Sequence, residues 1–96
     1  MLNGKQKRFL RGEGSLLKPI VAIGKEGLTL SLIKECEQQL AANELIKVRA
    51  QKNALQDVRE LASETADMTK SELVGVVGRN FLLYRINPEK QQINLP

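Results

Sequence analysis

Histidine is absent from the 96-residue sequence, and cysteine occurs once. The first absence removes the commonest general base, the usual zinc ligand and the Ser-His-Asp triad together. The second leaves Cys36 without a partner for an internal disulfide, which fits a reducing compartment and makes the cytoplasm the expected location. Aromatic side chains are scarce, with Phe9, Phe81 and Tyr84 the whole set. Readers of single-stranded sequence usually stack bases on several exposed aromatics, so strong sequence reading of that kind is not expected. Phe9 and Phe81 read as core. Tyr84 is the one stacking candidate, and a core tyrosine with a satisfied hydroxyl is the preferred reading. No apolar run approaches the ~18 residues needed to span a bilayer. The basic opening is not followed by an apolar stretch with a small-residue cleavage site, so no secretory signal is expected. Neither a P-loop nor a dinucleotide fingerprint is present. An enzyme would have to rely on Glu, Asp or Lys with a shifted pKa. The i, i+4 pair Glu60 and Glu64 reads as solvated, so no catalysis, metal or cofactor is expected.

What is present is the composition of one small globular domain, 42% hydrophobic and 27% charged. The net charge is +4, and its distribution says more than its sum. Residues 1–25 carry Lys5, Lys7, Arg8, Arg11, Lys18 and Lys25 against Glu13, a local excess of +5. The rest of the chain holds nine basic and ten acidic residues, a balance of −1. That asymmetry points to a polyanionic partner. The bland alternative is a solvated basic helix face.

The periodicity predicts a helix over 2–14, stopped by Gly12 and Gly14. The β-branched run Pro19-Ile20-Val21-Ala22-Ile23 reads as a buried strand. Thr29 or Ser31 caps a helix to about Asn43, with Leu32, Ile33, Cys36 and Leu40 on one stripe. In the strand 44–50, Ile46, Val48 and Ala50 alternate with Leu45, Lys47 and Arg49, giving one apolar and one basic face. A further amphipathic helix is expected from Ala54 to about Ala66. Two strand runs, 72–77 and 81–86, are joined by Gly78-Arg79-Asn80 as a hairpin. Residues 87–96, with Pro88 and Pro96, read as a loosely held tail in which Ile93 and Leu95 could pair on an edge. The order α-β-α-β-α-β-β implies a first pair of strands parallel through a right-handed crossover and a last pair antiparallel. The expected fold is an α/β two-layer sandwich, a mixed four-stranded sheet with helices on one face. Lys47 and Arg49 would then lie on the open side.

The sharpest local feature is Gly24-Lys25-Glu26-Gly27, placed between a predicted strand and a predicted helix. Glycines let a backbone approach a phosphate, and Lys25 adds a cation there. A GxxG loop that clamps a nucleic-acid backbone is the device of KH domains. The competing reading is a turn that needs positive φ, and Glu26 partly cancels Lys25. A second GxxG, Gly75-Val76-Val77-Gly78, lies in an apolar strand and reads as structural. Lys5, Lys7, Arg8 and Arg11 could line one groove with Lys25. Lys47, Arg49, Arg79 and Arg85 form a second basic set on strands, with Arg79 expected to be well exposed and Arg85 a candidate to pair with Glu44 or Glu72. Such cations supply sequence-independent affinity for phosphates.

Five spaced segments together resemble a stand-alone bacterial CRM domain (chloroplast RNA splicing and ribosome maturation) of the YhbY family. They are Lys5-Gln6-Lys7-Arg8-Phe9-Leu10-Arg11, Lys18-Pro19-Ile20-Val21, Ile23-Gly24-Lys25-Glu26-Gly27-Leu28-Thr29, Asn43-Glu44-Leu45-Ile46-Lys47-Val48, and Val77-Gly78-Arg79 with Leu83-Tyr84-Arg85. The resemblance covers residues 2 to 86. It implies an RNA-binding module with a fold similar to the C-terminal domain of bacterial translation initiation factor 3, acting on precursors of the large ribosomal subunit. Plant relatives carry the domain in group II intron splicing factors. The family's GxxG loop maps onto Gly24, Lys25, Glu26 and Gly27. Its basic surface maps onto Lys5, Lys7, Arg8 and Arg11, with Lys47 and Arg79 as further matches. Two positions depart from the pattern: an acid, Glu26, in the loop, and no glycine in Thr65-Ala66-Asp67-Met68.

The expected function is therefore binding of RNA, specifically large-subunit rRNA or a pre-ribosomal particle, by a monomer without cofactor or metal and away from membranes. One rival is a protein-interaction module docking its basic face on an acidic ribosomal or assembly protein. A double-stranded DNA binder ranks lower, because no helix shows an Arg/Asn/Gln set arranged for the major groove.

Overall fold

Asn3 starts the first helix by a reciprocal cap. Its side chain accepts from the Gln6 backbone at 2.8 Å, and the Gln6 side chain accepts from the Asn3 backbone at 3.1 Å. A computed structural model describes residues 1–96 and runs α1 (Gly4–Gly14), β1 (Val21–Ile23), α2 (Leu30–Asn43), β2 (Leu45–Ala50), α3 (Val58–Thr69), β3 (Glu72–Val77) and β4 (Asn80–Tyr84). The strand order is β1-β2-β4-β3. β1 and β2 are parallel, as the helical crossover requires, and β4 runs antiparallel to both of its neighbours. The register slips between Leu73 and Gly75, so β3 carries an irregularity at Val74.

Strand alternation sorts the side chains. Val21, Ile23, Ile46, Val48, Ala50, Phe81 and Leu83 point to the face covered by α2 and α3, where they join Cys36, Leu40, Leu61, Ala62 and Ala66 in the main core. Leu45, Val74, Leu82 and Tyr84 point the other way and bury Leu10 of α1. The α/β sandwich and mixed sheet are as expected, but the one-sided placement of the helices needs correction. The first helix packs on the opposite face, because Leu10 needs an apolar bed and the second face of β2, β3 and β4 supplies one. Phe9 is also corrected: it is 38% exposed, while Phe81 and Tyr84 are core.

α3 starts later than the pattern predicts. Asp57 caps it by accepting from the Arg59 backbone, and Ala54 is held in a turn to Gln51. It also continues past the expected Ala66 to Thr69, and the buried hydroxyls of Thr65 and Thr69 are satisfied within it by donating to the carbonyls of Leu61 and Thr65 at 2.6 and 2.7 Å. The tail over 87–96 is not loose. Glu44, fully buried at the α2–β2 junction, accepts from the backbones of Asn87, Gln92 and Ile93 at 2.7–2.8 Å. Ile93 and Leu95 then pack beside the α1 core cluster.

Candidate nucleic-acid interface

The C-terminal ends of β1 and β2 and the β3–β4 hairpin meet at one end of the sheet. The Gly24–Gly27 loop leaves β1 there. Its turn is closed by the Gly27 backbone donating to Gly24 at 3.1 Å, and Gly27 sits at φ 71, where a side chain would be strained. Lys25 and Glu26 are exposed at the tip. Behind the loop, the Gln51 backbone donates to Ile23 at 2.8 Å. Thr29 caps α2 two residues beyond the turn, accepting from the Leu32 backbone.

Arg79 occupies the same end, but its expected free exposure is corrected. The residue is half-buried, its Nε donates to the Ala50 carbonyl at 2.8 Å, and a terminal nitrogen donates to the Gln51 carbonyl. The guanidinium thus ties the hairpin to the exit of β2. Arg85 pairs with neither Glu44 nor Glu72. It donates to the Thr69 carbonyl at 2.8 Å and lies 3.8 Å from Glu37, linking the middle of α2 to the C-terminal end of α3.

α1 covers only part of its face. Lys47 and Arg49 share that face with Leu45, and Arg49 is exposed beyond the end of the helix. A cavity of about 240 Å³ opens between the C-terminal half of α1 and the sheet, and its lining includes Arg11, Lys47, Gly14, Gly75, Val77 and Asn80 but no carboxylate. Arg11 lies across β3: it donates to the Val74 carbonyl at 3.4 Å, and its stem passes so close to Gly75 that an added Cβ would sit 3.1 Å from Cδ. A second cavity of about 430 Å³ lies on the other flank, where Lys18 and Lys47 meet Leu16, Leu17, Ile20 and Glu13.

Of the residues singled out in the sequence, Arg11 and Lys47 converge on one groove. Gly24 and Arg79 share the neighbour Gln51 at the adjoining sheet end. Lys25, Glu26 and Gly27 line a separate cavity with Ala54, Leu55 and Gln56, so the expected single groove shared by Lys25 with Lys5, Lys7, Arg8 and Arg11 is corrected. Lys5 and Arg8 are exposed on α1, and Lys7 is half-buried on it. The two ion pairs of the structure are Met1–Glu72 and Arg85–Glu37, so none of these cations is neutralised by an acidic side chain. Sequence reasoning placed Arg49 and Lys18 among the cations but not in the site, and it missed Asn80. Asn80 pairs across the ladder with Arg49, and its position follows only from the strand register.

No three His, Cys, Asp or Glu side chains come together to hold a metal. The buried Cys36 thiol is pushed up to about 11 by burial, then by Glu35 and Glu37, which makes it a poor nucleophile. No helix is long and apolar enough to cross a membrane.

The domain thus presents a sheet face whose cations, Arg11, Lys47 and Arg49, make no ion pair with an acidic side chain, with a glycine turn at the same end of the sheet. The chain belongs to the CRS1 / YhbY (CRM) domain family, whose model matches residues 2–85. It is 41% identical over 96 residues, 100% of both chains, to the probable RNA-binding protein YqeI of Bacillus subtilis. It is 43% identical over 86 residues to the probable RNA-binding protein MJ0652 of Methanocaldococcus jannaschii, covering 88% of this chain and 63% of that one. Among solved structures it is similar to the solution structure of SAV1595 from Staphylococcus aureus, a protein described as a putative RNA binding protein. The TM-score is 0.85, with 43% identity and 100% of both chains covered.

Proposed function

We propose that this protein binds RNA during assembly of the ribosome, on large-subunit rRNA or a pre-ribosomal particle, and acts without catalysis, metal or cofactor as a cytoplasmic monomer. The observation that carries this reading is the convergence of Arg11 and Lys47, neither paired with an acid, on a groove whose lining holds no carboxylate. Phosphate contacts from these two, from the exposed cations of α1 and from Lys25 supply affinity that does not depend on sequence. The names of the bacterial and archaeal relatives support RNA as the partner. Scarce exposed aromatics favour recognition of shape and backbone in folded RNA.

The test is binding of purified protein to naked large-subunit rRNA, small-subunit rRNA and duplex DNA, together with co-sedimentation with pre-ribosomal particles. The large-subunit RNA is expected to compete best, and Lys25→Glu is expected to weaken binding to all RNAs alike. Equal competition by duplex DNA contradicts the reading. A second reading, docking on an acidic assembly protein, is favoured by the cavity where the 82% exposed Leu16 lies beside Lys18. Binding to protein-free rRNA separates the two.

A further inference from the structure

Two walls enclose a cleft of about 180 Å³ beside the glycine turn. Lys25, Glu26 and Gly27 form one, and Ala54, Leu55 and Gln56 form the other. Both walls are fastened to Gln51. Its backbone N–H donates to the carbonyl of Ile23, the residue before Gly24, at 2.8 Å. Its side chain lies so close over Gly24 that a Cβ there would sit 2.8 Å from the Gln51 Oε1. Its carbonyl accepts from the Ala54 backbone at 3.0 Å, which closes the turn that carries the second wall.

Gln51 is in turn held by Arg79. It lies one residue past the end of β2, where the ladder to β4 no longer holds it. A terminal nitrogen of the Arg79 guanidinium donates to the same Gln51 carbonyl that Ala54 uses, while Nε donates to the Ala50 carbonyl at 2.8 Å. A planar guanidinium presents its donors as a fixed fork, which two successive carbonyls can both engage, whereas an ammonium is a point charge on a flexible stem. A cleft ordered before its ligand arrives leaves less ordering cost to meet on binding.

We propose that Arg79 is a positioning residue for RNA: through Gln51 it sets both walls of the Lys25–Gly27 cleft, and the phosphate that Lys25 holds is bound well only while that fork is intact. This rests on the RNA-binding reading and deepens it, by giving Arg79 a role through its neighbours and not a phosphate of its own. The two roles differ in what they demand. A phosphate contact needs the charge, which lysine keeps. Positioning needs the fork, which lysine lacks.

The test is a double-variant cycle on affinity for protein-free large-subunit rRNA and on the salt dependence of that affinity. Lys25→Ala is expected to weaken binding and to make the log–log slope shallower by about 1. Arg79→Ala and Arg79→Lys, each shown to be folded by its NMR spectrum, are expected to weaken binding about fivefold. Added to Lys25→Ala, neither is expected to change affinity or slope further. Added to Lys47→Ala, which removes a cation from the other groove, each is expected to act independently. Without RNA, the amide signals of Gly24, Gly27 and Ala54 are expected to move in both Arg79 variants. An Arg79→Lys protein that binds like wild type, a Lys25→Ala double variant that loses further affinity and slope, or loop signals that stay in place would overturn the positioning role. Failure of wild type to bind any RNA is a different result, visible before any variant is made, because it refutes the RNA-binding reading and this role with it.

Discussion

The guanidinium of Arg79 donates its Nε hydrogen to the carbonyl of Ala50 at 2.8 Å, while the Ala50 backbone donates back to the Arg79 carbonyl at the same distance. The hairpin and the exit of β2 are thereby locked to each other, with Gln51 held between them and the Gly24–Gly27 loop. Arg79→Ala should cost about 1–2 kcal/mol, the scale of charge-assisted hydrogen bonds at a partly exposed site. Arg79→Lys should not restore it, because a point-like ammonium cannot span both carbonyls. Chemical denaturation of the three proteins checks this, and an unchanged midpoint for Arg79→Ala would sink it.

Glu44 fixes the last ten residues through three backbone donors. Burial pushes its carboxyl up, and the hydrogen bonds from Asn87, Gln92 and Ile93 outweigh that and hold it below its ordinary value of 4.5. The stabilisation is therefore complete above about pH 4.5 and is lost as pH falls through the lower folded-state value. Hydrogen exchange at the Gln92 and Ile93 amides should accelerate over that acid window before the sheet amides do. Glu44→Ala should cost about 1.5–3 kcal/mol and release the tail at neutral pH.

Tyr84 is buried with a hydroxyl that has no partner. Burial, then the charge of Glu44, pushes its phenol up. Removing the oxygen removes an uncompensated desolvation cost, so Tyr84→Phe should leave stability unchanged or raise it by up to about 1–2 kcal/mol. A clear loss in thermal unfolding would show that the hydroxyl is satisfied.

Gly14 ends α1 directly over Leu82. Helix propensity alone predicts that Gly14→Ala stabilises by up to about 1 kcal/mol. The methyl would overlap the Leu82 side chain, and overpacking costs about 1–3 kcal/mol. The second effect should win, so Gly14→Ala is expected to lower the melting temperature, whereas Gly12→Ala, which meets nothing within 4 Å, is expected to raise it.

Much of this architecture was legible in one dimension. The Ile46-Val48-Ala50 alternation correctly set Lys47 and Arg49 on the opposite face, and Thr29 and Asn43 bounded α2 as the capping pattern implied. What escaped depended on tertiary partners. The side taken by α1 is decided by Leu10 finding Val74 and Leu82, which are more than sixty residues away. The ordered tail depends on Glu44, whose sequence context offers no sign that its carboxylate meets backbone donors over forty residues later. Arg79 looked free because hairpin turns usually expose their side chains, and only the β2–β4 register places two carbonyls within its reach. The groove and Asn80 follow from that register as well.

The salt dependence of RNA binding, measured for wild type and Lys47→Ala, addresses the convergence of cations on the half-open sheet. About five phosphate contacts predict a log–log slope of roughly −3.5 to −4.5 for wild type. Loss of Lys47 should make that slope shallower by about 1 while weakening all RNAs alike. A wild-type slope near zero, or a Lys47→Ala slope that matches wild type, would contradict a phosphate-binding groove at Arg11 and Lys47.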